Sequence, residues 1–438
     1  MTAEIGILNP SAVALAADSA VTIGIHNGQK IYNSANKLFT LSKYHPVGIM
    51  IYGNAEIMMV PWETVIKVYR QTLGTDEFDT LEEYVASFIT FLETSFFSEN
   101  IQKQYLISVV SSYFQKMVGD VRQNVEELLR EKSGVGDKET KDVLASIVTK
   151  HHDEWIAADR LPTLPNDFPN QFRDKFQGEI DKLITNIFDR LPLTKKLTKM
   201  LHGIAESIFS RNGFPITTSG VVIAGFGKAE IFPSLVELKV ECVVDNVLKY
   251  LRVQQVSIGP ESEGQLAAAV VPFAQSEMVD TFIGGIDPQL DEFATERISQ
   301  IFQKYPQILT DAVISLVGDE IENKEEIRKN LLSNLSGASE QILNDYMNDI
   351  QYYRQKIHVE PIIKMAQFLP KDELAEMAEA LVNLTSFKRR ISMSAETVGG
   401  PIDVAVISKG DGFIWVKRKH YFKAELNRQF FDRYYLED

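Results

Sequence analysis

Residues 2–19 read TAEIGILNPSAVALAADS. Two short apolar runs, Ala3–Leu8 and Ala12–Ala17, lie on either side of the turn-forming triplet Asn9-Pro10-Ser11. This pattern is typical of two strands joined by a tight connection. The second run breaks into Asp18-Ser19, an acidic turn directly after an apolar strand. We therefore predict an antiparallel hairpin that ends in this acidic turn.

The hydrophobic period changes several times along the rest of the chain. Strand-like runs recur at Leu38–Leu41 and Val47–Tyr52 and predict a second hairpin, and helical spacing follows from Pro61 to about Arg211. The later segments are predicted as strands at 220–226, 235–243 and 251–258, helices from Glu263 to about 387, and a closing hairpin of 402–408 and 413–417. Blocks of strands between blocks of helices suit antiparallel sheets with helices layered outside them, which is an α+β fold.

The composition excludes several classes of protein. The 438 residues carry a net charge of −15, whereas a nucleic-acid-binding surface would be basic. Cys242 is the only cysteine, so no intrachain disulfide can form and a reducing compartment fits. We see no signal peptide and no run of about 18 or more apolar residues. These observations predict a cytoplasmic protein without nucleic-acid or membrane partners.

Several motifs in the strand-rich segments resemble the proteasome β-subunit family of N-terminal nucleophile hydrolases, which includes simpler bacterial relatives. Near the start these are Thr2, the turn Ala17-Asp18-Ser19, the pair Lys37-Leu38 and the segment Tyr52-Gly53-Asn54-Ala55-Glu56. Further matches are Val221–Phe226 with its Ala-Gly pair, Val256–Gly259, and the terminal stretch Gly399–Gly412. The motifs occur in the family's order and at nearly its spacing.

The resemblance implies a four-layer αββα sandwich built from two antiparallel sheets. It covers roughly residues 2–62, 216–275 and 388–417 of a single domain that spans residues 1–438. The helical blocks 63–212 and 276–387 are longer than the family's paired helices, so we interpret them as insertions. The tail 418–438 is rich in aromatic residues among charges, and either docks a partner or packs on its own domain.

The resemblance also implies a catalytic set of Thr2, Asp18, Lys37 and Gly53. Removal of Met1 would expose Thr2, whose hydroxyl is then the nucleophile. Its amine is the base, because a free α-amine titrates at about pH 7.7 to 8.0. Asp18 would orient and charge-balance Lys37, and Lys37 would lower the pKa of the Thr2 hydroxyl. Gly53 would donate its backbone N–H to the oxyanion, an interaction worth about 3–4 kcal/mol.

The same alignment implies an apolar pocket for the substrate residue before the scissile bond. Its predicted lining is Val21, Ala35, Phe39, Ile51, Ala55 and Met59, and ordinary core packing explains these residues equally well. Thr22 would offer backbone groups to an extended peptide by strand addition. Lys30 is a rival for the catalytic lysine, but Lys37 is preferred because the apolar run Leu38–Leu41 follows it directly.

Three supporting positions depart from the family pattern. The family often has an arginine two residues after the aspartate, where this chain has Ala20, and a serine after the middle-motif glycine, where it has Pro260. The family's Asp-x-x-Ser before the last glycine pair falls on Ala395–Val398, which carries neither residue, although Glu396 and Thr397 are polar substitutes. Losing such groups lowers the rate of a reaction without removing its nucleophile.

We therefore expect a threonine hydrolase that cleaves peptide or other amide bonds, without cofactor or metal. The pair His151-His152 does not form the i, i+4 pair of a zinc helix, and Gly225–Lys228 lacks the upstream glycine of a phosphate loop. Any dependence on ATP would then come from a separate ATPase partner.

Members of the family stack into rings, so the resemblance implies a homo-oligomeric ring. The alternatives are a non-catalytic assembly subunit of the same fold and a small-molecule amidase closed by its helical insertions.

Overall fold

The structure is a computed structural model that describes residues 2–25, 28–131, 134, 136–215, 218–260, 264–316, 323–391, 399–420, 422–429 and 431–432. The chain forms two compact units. The first unit contains residues 1–35, 258–406 and 415–438, and the second contains residues 36–257 and 407–414. Each unit is described by itself below.

Strands lie at both ends and in the middle of the chain. Their bounds are β1 Ala3–Asn9, β2 Ala12–Ala17, β3 Val21–Ile25, β4 Gly28–Tyr32, β5 Leu38–Thr40, β6 Val47–Gly53, β7 Glu56–Ile57, β8 Val60–Pro61, β9 Ser219–Gly225, β10 Ser234–Val244, β11 Val247–Ser257, β12 Ala269–Ala274, β13 Asp403–Ser408 and β14 Gly412–Lys417. One five-stranded sheet has the order β12-β1-β2-β13-β14, and another has the order β11-β10-β9-β6-β5. The strand pairs with a described register, among them β1–β2 and β6–β9, are antiparallel.

Helices fill the two long stretches between these strands. Their bounds are α1 Trp62–Leu73, α2 Leu81–Phe91, α3 Glu99–Glu131, α4 Asp137–Ala157, α5 Phe168–Ile187, α6 Lys195–Ser210, α7 Glu277–Gly284, α8 Pro288–Leu316, α9 Lys324–Arg354, α10 Glu360–Phe368 and α11 Lys371–Ile391. Among the described residues, no helix combines the length and the apolar character needed to span a membrane. The α+β class with antiparallel sheets is confirmed. The finer four-layer arrangement and the insertion boundaries stay predictions.

The β1–β2 hairpin is fixed by its turn, as the sequence predicts. The Asn9 side-chain oxygen accepts hydrogen bonds from the backbone N–H groups of Ser11 at 3.0 Å and Ala12 at 3.1 Å. This is the local bonding by which asparagine stabilises turns. The Asn9 amide donates to the carbonyls of Ala366 at 3.1 Å and Leu369 at 2.9 Å, which attaches the hairpin to the end of α10.

The core of the first unit lies between β1, β2 and α11. Alternate residues of the strands face the helix, because successive side chains of a strand point to opposite faces. The cluster contains Ala3, Ile5, Ile7, Ala12, Ala14 and Ala16 from the strands and Leu374, Ala378, Leu381 and Val382 from α11. The small alanines of β2 allow α11 to lie close to the sheet.

The core of the second unit is larger and joins its sheet to the helices α1–α6. Buried members include Ile49, Val221, Ile223 and Val236 from the strands and Trp62, Phe88, Phe114 and Phe172 from the helices. The Trp62 indole N–H donates to the Ser219 hydroxyl at 2.8 Å, so the polar atom of this buried ring is satisfied.

Two local predictions are wrong. Helix was predicted from Glu263 onward, but Ala269–Ala274 forms strand β12 and α7 begins only at Glu277. Pro272 fits this strand because β12 is an edge strand, where a missing N–H costs no ladder bond. The resemblance also implies a longer turn around Asn27–Ser34, because Lys37 lies a few residues later than in typical members of the family. Gly28–Tyr32 instead forms strand β4, which pairs with β3.

Candidate active site

Thr2 lies directly before β1 in the first unit. It is 4% exposed, and its carbonyl accepts a hydrogen bond from the backbone N–H of Gln275 at 3.2 Å. This bond continues the β1–β12 pairing beyond Ala3 and Ala274. The backbone of Thr2 is therefore held by the sheet. Met1, whose removal the prediction requires, lies outside the described residues.

Asp18 is fully buried at the end of β2, and its carboxylate accepts three backbone hydrogen bonds. Oδ1 accepts the N–H of Ala3 at 3.2 Å. Oδ2 accepts the N–H groups of Ala20 at 3.2 Å and Gly399 at 2.9 Å. Burying a carboxylate is costly unless it is hydrogen-bonded, and these donors offset that cost. The carboxylate is thereby fixed against the residue that follows Thr2.

Ser19 connects the acidic turn to the segment Gly399–Pro401. Its N–H donates to the Gly399 carbonyl at 3.1 Å, and its hydroxyl donates to the Pro401 carbonyl. Gly400 has a φ of +79°, and a Cβ there would lie 2.8 Å from the Cβ of Asn33. Only glycine fits this close approach without strain. Two motifs far apart in the sequence thus meet at one place in the first unit.

Glu4 is a buried carboxylate that sequence reasoning missed. It is 2% exposed and pairs in register with Ala17 on β2 and Phe273 on β12. Ala3 and Ile5 face α11, so strand alternation directs Glu4 to the opposite face, the one expected for Thr2. The available signal was a single acidic residue inside an otherwise apolar strand.

Lys37 lies directly before β5 in the second unit and is 5% exposed. Its carbonyl accepts the N–H of Ile51 at 2.8 Å. The rival Lys30 is exposed on β4, with its ammonium group 5.4 Å from the centre of the Tyr32 ring. Of the two candidates, only Lys37 is buried, as the prediction requires of the catalytic lysine.

Gly53 ends β6 in the second unit with a φ of +77°. A Cβ at this position would lie 2.7 Å from the carbonyl oxygen of Thr218. The next N–H, that of Asn54, donates to the same carbonyl at 3.3 Å. Glycine is therefore required by the backbone conformation and by the close neighbour, whether or not its N–H serves an oxyanion.

The four predicted catalytic residues fall into two pairs. Thr2 and Asp18 belong to the first unit, and Lys37 and Gly53 belong to the second. Within the first unit, Thr2 and Asp18 are brought together through Ala3. The convergence of all four residues stays a prediction.

The residues predicted to line the substrate pocket lie in different environments. Phe39 and Ile51 belong to the core cluster of the second unit, which agrees with their alternative role in packing. Ala55 is exposed, and Met59 is 86% exposed with a φ of +68°. Val21 and Ala35 are partly buried in the first unit, and Thr22 pairs with Ile31 in the β3–β4 hairpin. The pocket stays a prediction.

The positions that depart from the family pattern are only partly described. Ala20 is 1% exposed and donates its N–H to the Asp18 carboxylate. The alanine at this position therefore keeps the backbone contact with Asp18. Pro260 follows Gly259, whose N–H donates to the Leu266 carbonyl at 3.0 Å. Ala395–Val398, with Glu396 and Thr397, lies outside the described residues.

A second buried polar centre lies in the second unit. Glu241 and Lys249 form an ion pair of 2.6 Å, and the Lys249 ammonium also donates to the carbonyls of Ile208 at 2.6 Å and Gly213 at 2.8 Å. Burial raises the pKa of the Glu241 carboxyl, and Lys249 opposes that rise. These contacts join β10, β11 and the end of α6, so the centre is best explained as structural.

In comparisons with known proteins, no protein-family model and no curated protein matches the chain.

Proposed function

We propose that this chain is a threonine hydrolase of the N-terminal nucleophile type that cleaves peptide or other amide bonds. One observation supports it above the others: the fully buried Asp18 carboxylate accepts the N–H of Ala3, the residue after Thr2. A buried carboxylate held beside a candidate nucleophile suits the task of orienting a cation there. The buried side chain of Lys37 is the cation proposed for that task.

The contact between two distant motifs is a second support. The resemblance selects the Asp18-Ser19 turn and the stretch beginning at Gly399 from opposite ends of the chain. Residues 18 and 399 are 381 positions apart and are joined by a 2.9 Å hydrogen bond. The fold that the resemblance implies would bring these two motifs together, and this contact therefore supports the proposal.

The proposed reaction begins with cleavage of the Met1–Thr2 bond, which frees the Thr2 amine. The amine accepts the hydroxyl proton while Oγ attacks the substrate carbonyl, and the resulting oxyanion accepts the Gly53 N–H. The C–N bond breaks, the ammonium group of Thr2 gives its proton to the leaving amine, and an ester to Thr2 remains. Water then gives a proton to the amine and attacks the ester carbonyl; the bond to Oγ breaks, the acid is released, and the ammonium group returns its proton to Oγ, which restores the hydroxyl.

Substitution of Thr2 tests this proposal. The wild-type chain, Thr2→Ser and Thr2→Val would be compared on a peptide library and on small amides. We expect hydrolysis by the wild type, reduced hydrolysis by Thr2→Ser, which keeps the hydroxyl, and none by Thr2→Val, which keeps the shape. Equal activity of wild type and Thr2→Val would exclude the proposal. Cleavage of small amides alone would identify an amidase.

A non-catalytic subunit of the same fold is the second candidate. Its support is that three backbone hydrogen bonds already give the Asp18 carboxylate a structural role, without any chemistry. The supporting residues absent at Ala20 and Pro260 point the same way. A folded, Met1-free protein that hydrolyses neither peptides nor small amides would favour this candidate.

A further inference from the structure

Helix α8 carries an exposed apolar stripe. Leu290, Phe293, Ile301, Tyr305 and Ile308 are each 52–60% exposed. With Arg297 they follow one another at steps of three and four residues, so they share one face of the helix. The stripe runs from Leu290 to Ile308, a rise of about 27 Å at about 1.5 Å per residue.

The opposite side of α8 is already occupied. Its buried residues, Pro306 and Thr310, are each two positions from Ile308 and therefore about 200° away around the helix. Helix α9 packs on that side, where the Ser339 hydroxyl donates to the Phe302 carbonyl at 2.6 Å. The stripe is thus a second apolar face that the first unit leaves uncovered.

Single exposed apolar residues are common on protein surfaces, but an aligned set is not. An ordinary surface helix directs its apolar side to the core and its charges to solvent. In the stripe of α8, five large apolar side chains face solvent and only Arg297 interrupts them. This arrangement is typical of a helix that packs on a partner.

We propose that the partner is a second copy of this chain, with the two α8 helices antiparallel across a two-fold axis near Lys304. A two-fold axis places the stripe of one copy against the same stripe of the other copy, so the two surfaces match by symmetry. It also places Arg297 opposite Asp311 of the other copy, because each lies seven positions from Lys304. Within its own copy Asp311 already pairs with Arg328 at 2.7 Å, so Arg297 would join that ion pair as a second cation. Among the described residues Arg297 forms no ion pair; it lies over the Phe293 ring and donates to Gln300.

The area of the stripe fits a dimer. An aromatic side chain buries about 150–250 Å², so a half-exposed one still offers about 100 Å². Phe293 and Tyr305 are aromatic and the three aliphatic residues offer no more, so the stripe gives on the order of 500 Å² at most from each copy, or about 1,000 Å² for the pair before the polar rim is included. That total is the lower limit for a specific protein interface.

The charges of α8 argue against a membrane surface as the partner. Interfacial helices have many Lys and Arg residues on the polar face, which attract anionic lipids. The sequence of α8 has four acidic residues, Asp291, Glu292, Glu296 and Asp311, against the two basic residues Arg297 and Lys304. Mixed charges of both signs suit a protein partner with complementary charges.

Sedimentation velocity of the full chain tests this proposal, at loading concentrations from about 1 to about 100 µM. We expect the wild type to shift from monomer to dimer over this range and the double variant Ile301→Glu/Tyr305→Glu to remain a monomer. Ile231→Glu is the matched control, because Ile231 is 77% exposed and lies outside the stripe. The control should dimerise like the wild type. Circular dichroism of all three proteins checks their folding.

Charge reversal tests the antiparallel orientation. Arg297→Asp should weaken the dimer at least tenfold, because it creates two like-charge contacts with Asp311. Arg297→Asp combined with Asp311→Arg should bind more tightly than Arg297→Asp but less tightly than the wild type, because Asp311→Arg also removes the ion pair with Arg328 in each copy. A wild type that stays monomeric, or a dimer that survives Ile301→Glu/Tyr305→Glu, would overturn the proposal. A monomer that co-sediments with vesicles of phosphatidylserine and phosphatidylcholine would overturn it in favour of a membrane surface.

Discussion

The backbone N–H of Ala3 donates to Oδ1 of Asp18 at 3.2 Å, and the N–H of Asp18 donates to the Ala3 carbonyl at 3.1 Å. This reciprocal pair attaches the end of β2 to the start of β1. It places a buried carboxylate against the N–H of the peptide bond that joins Thr2 to Ala3. The position of the Asp18 carboxylate beside the candidate nucleophile therefore depends on this contact.

Asp18→Asn should destabilise the protein even though the shape of the side chain is kept. The asparagine amide would present N–H donors where Ala3, Ala20 and Gly399 already present theirs, so at least one buried donor loses its acceptor. The expected loss is on the order of 2–3 kcal/mol in the free energy of unfolding. Urea unfolding measures it. The exposed Asp153→Asn is the control and should change stability little; equal midpoints for both variants would contradict the described contacts.

Gly53→Ala should destabilise more than Gly412→Ala. Both glycines have a positive φ, +77° at Gly53 and +75° at Gly412, so both variants incur backbone strain of about 1–2 kcal/mol. At Gly53 the new methyl group also lies 2.7 Å from the Thr218 carbonyl oxygen, whereas at Gly412 no atom of the described residues, apart from the two chain neighbours, lies within 4 Å of it. Thermal unfolding of the two variants compares them directly. A smaller loss at Gly53 would show that this turn is not as tight as described.

Lys249→Met should destabilise the second unit by about 3–5 kcal/mol at neutral pH, because it leaves the Glu241 carboxylate buried without its cation. Lys249→Met/Glu241→Leu should recover most of that loss. Denaturant unfolding of the two variants and the wild type gives the three free energies. A single variant as stable as the wild type would contradict a buried ion pair.

The stability of Lys249→Met should depend on pH in a defined direction. Burial raises the folded-state pKa of Glu241 above its ordinary 4.5, and loss of Lys249 removes the opposing interaction. The folded state then binds the proton more tightly than the unfolded state. The contribution of this group to stability is therefore greatest below about pH 4.5 and falls as the pH rises through the folded-state pKa. The deficit relative to the Lys249→Met/Glu241→Leu control should shrink as the pH is lowered, and a deficit that grows would refute this sign.

Much of the fold could be predicted from the sequence because its signals are local. The β1–β2 hairpin follows from two apolar runs and the Asn9-Pro10-Ser11 turn, and the structure has both strands within one residue of their predicted ends. Strand β4 was missed because Gly28–Tyr32 reads GQKIY, with too few apolar residues to show a strand period. Strand β12 was missed because Pro272 is tolerated only at a sheet edge, and edge position depends on tertiary structure.

The candidate site could be predicted only in part, because its contacts join distant residues. Asp18 was singled out by its place after an apolar strand, but its partner Gly399 lies 381 residues away. Glu4 was missed because burial of a lone acidic residue depends on what covers the strand. The relation of Lys37 to Thr2 has no local signature at all.

Mass spectrometry of the purified protein after reaction with a peptide epoxyketone tests the central claim most directly. This reagent reacts with both the hydroxyl and the amine of an amino-terminal threonine. The proposal predicts a chain without Met1 that carries one adduct, mapped to Thr2 and absent from Thr2→Val. A folded chain that retains Met1, or one that lacks Met1 and takes up no adduct, would contradict it.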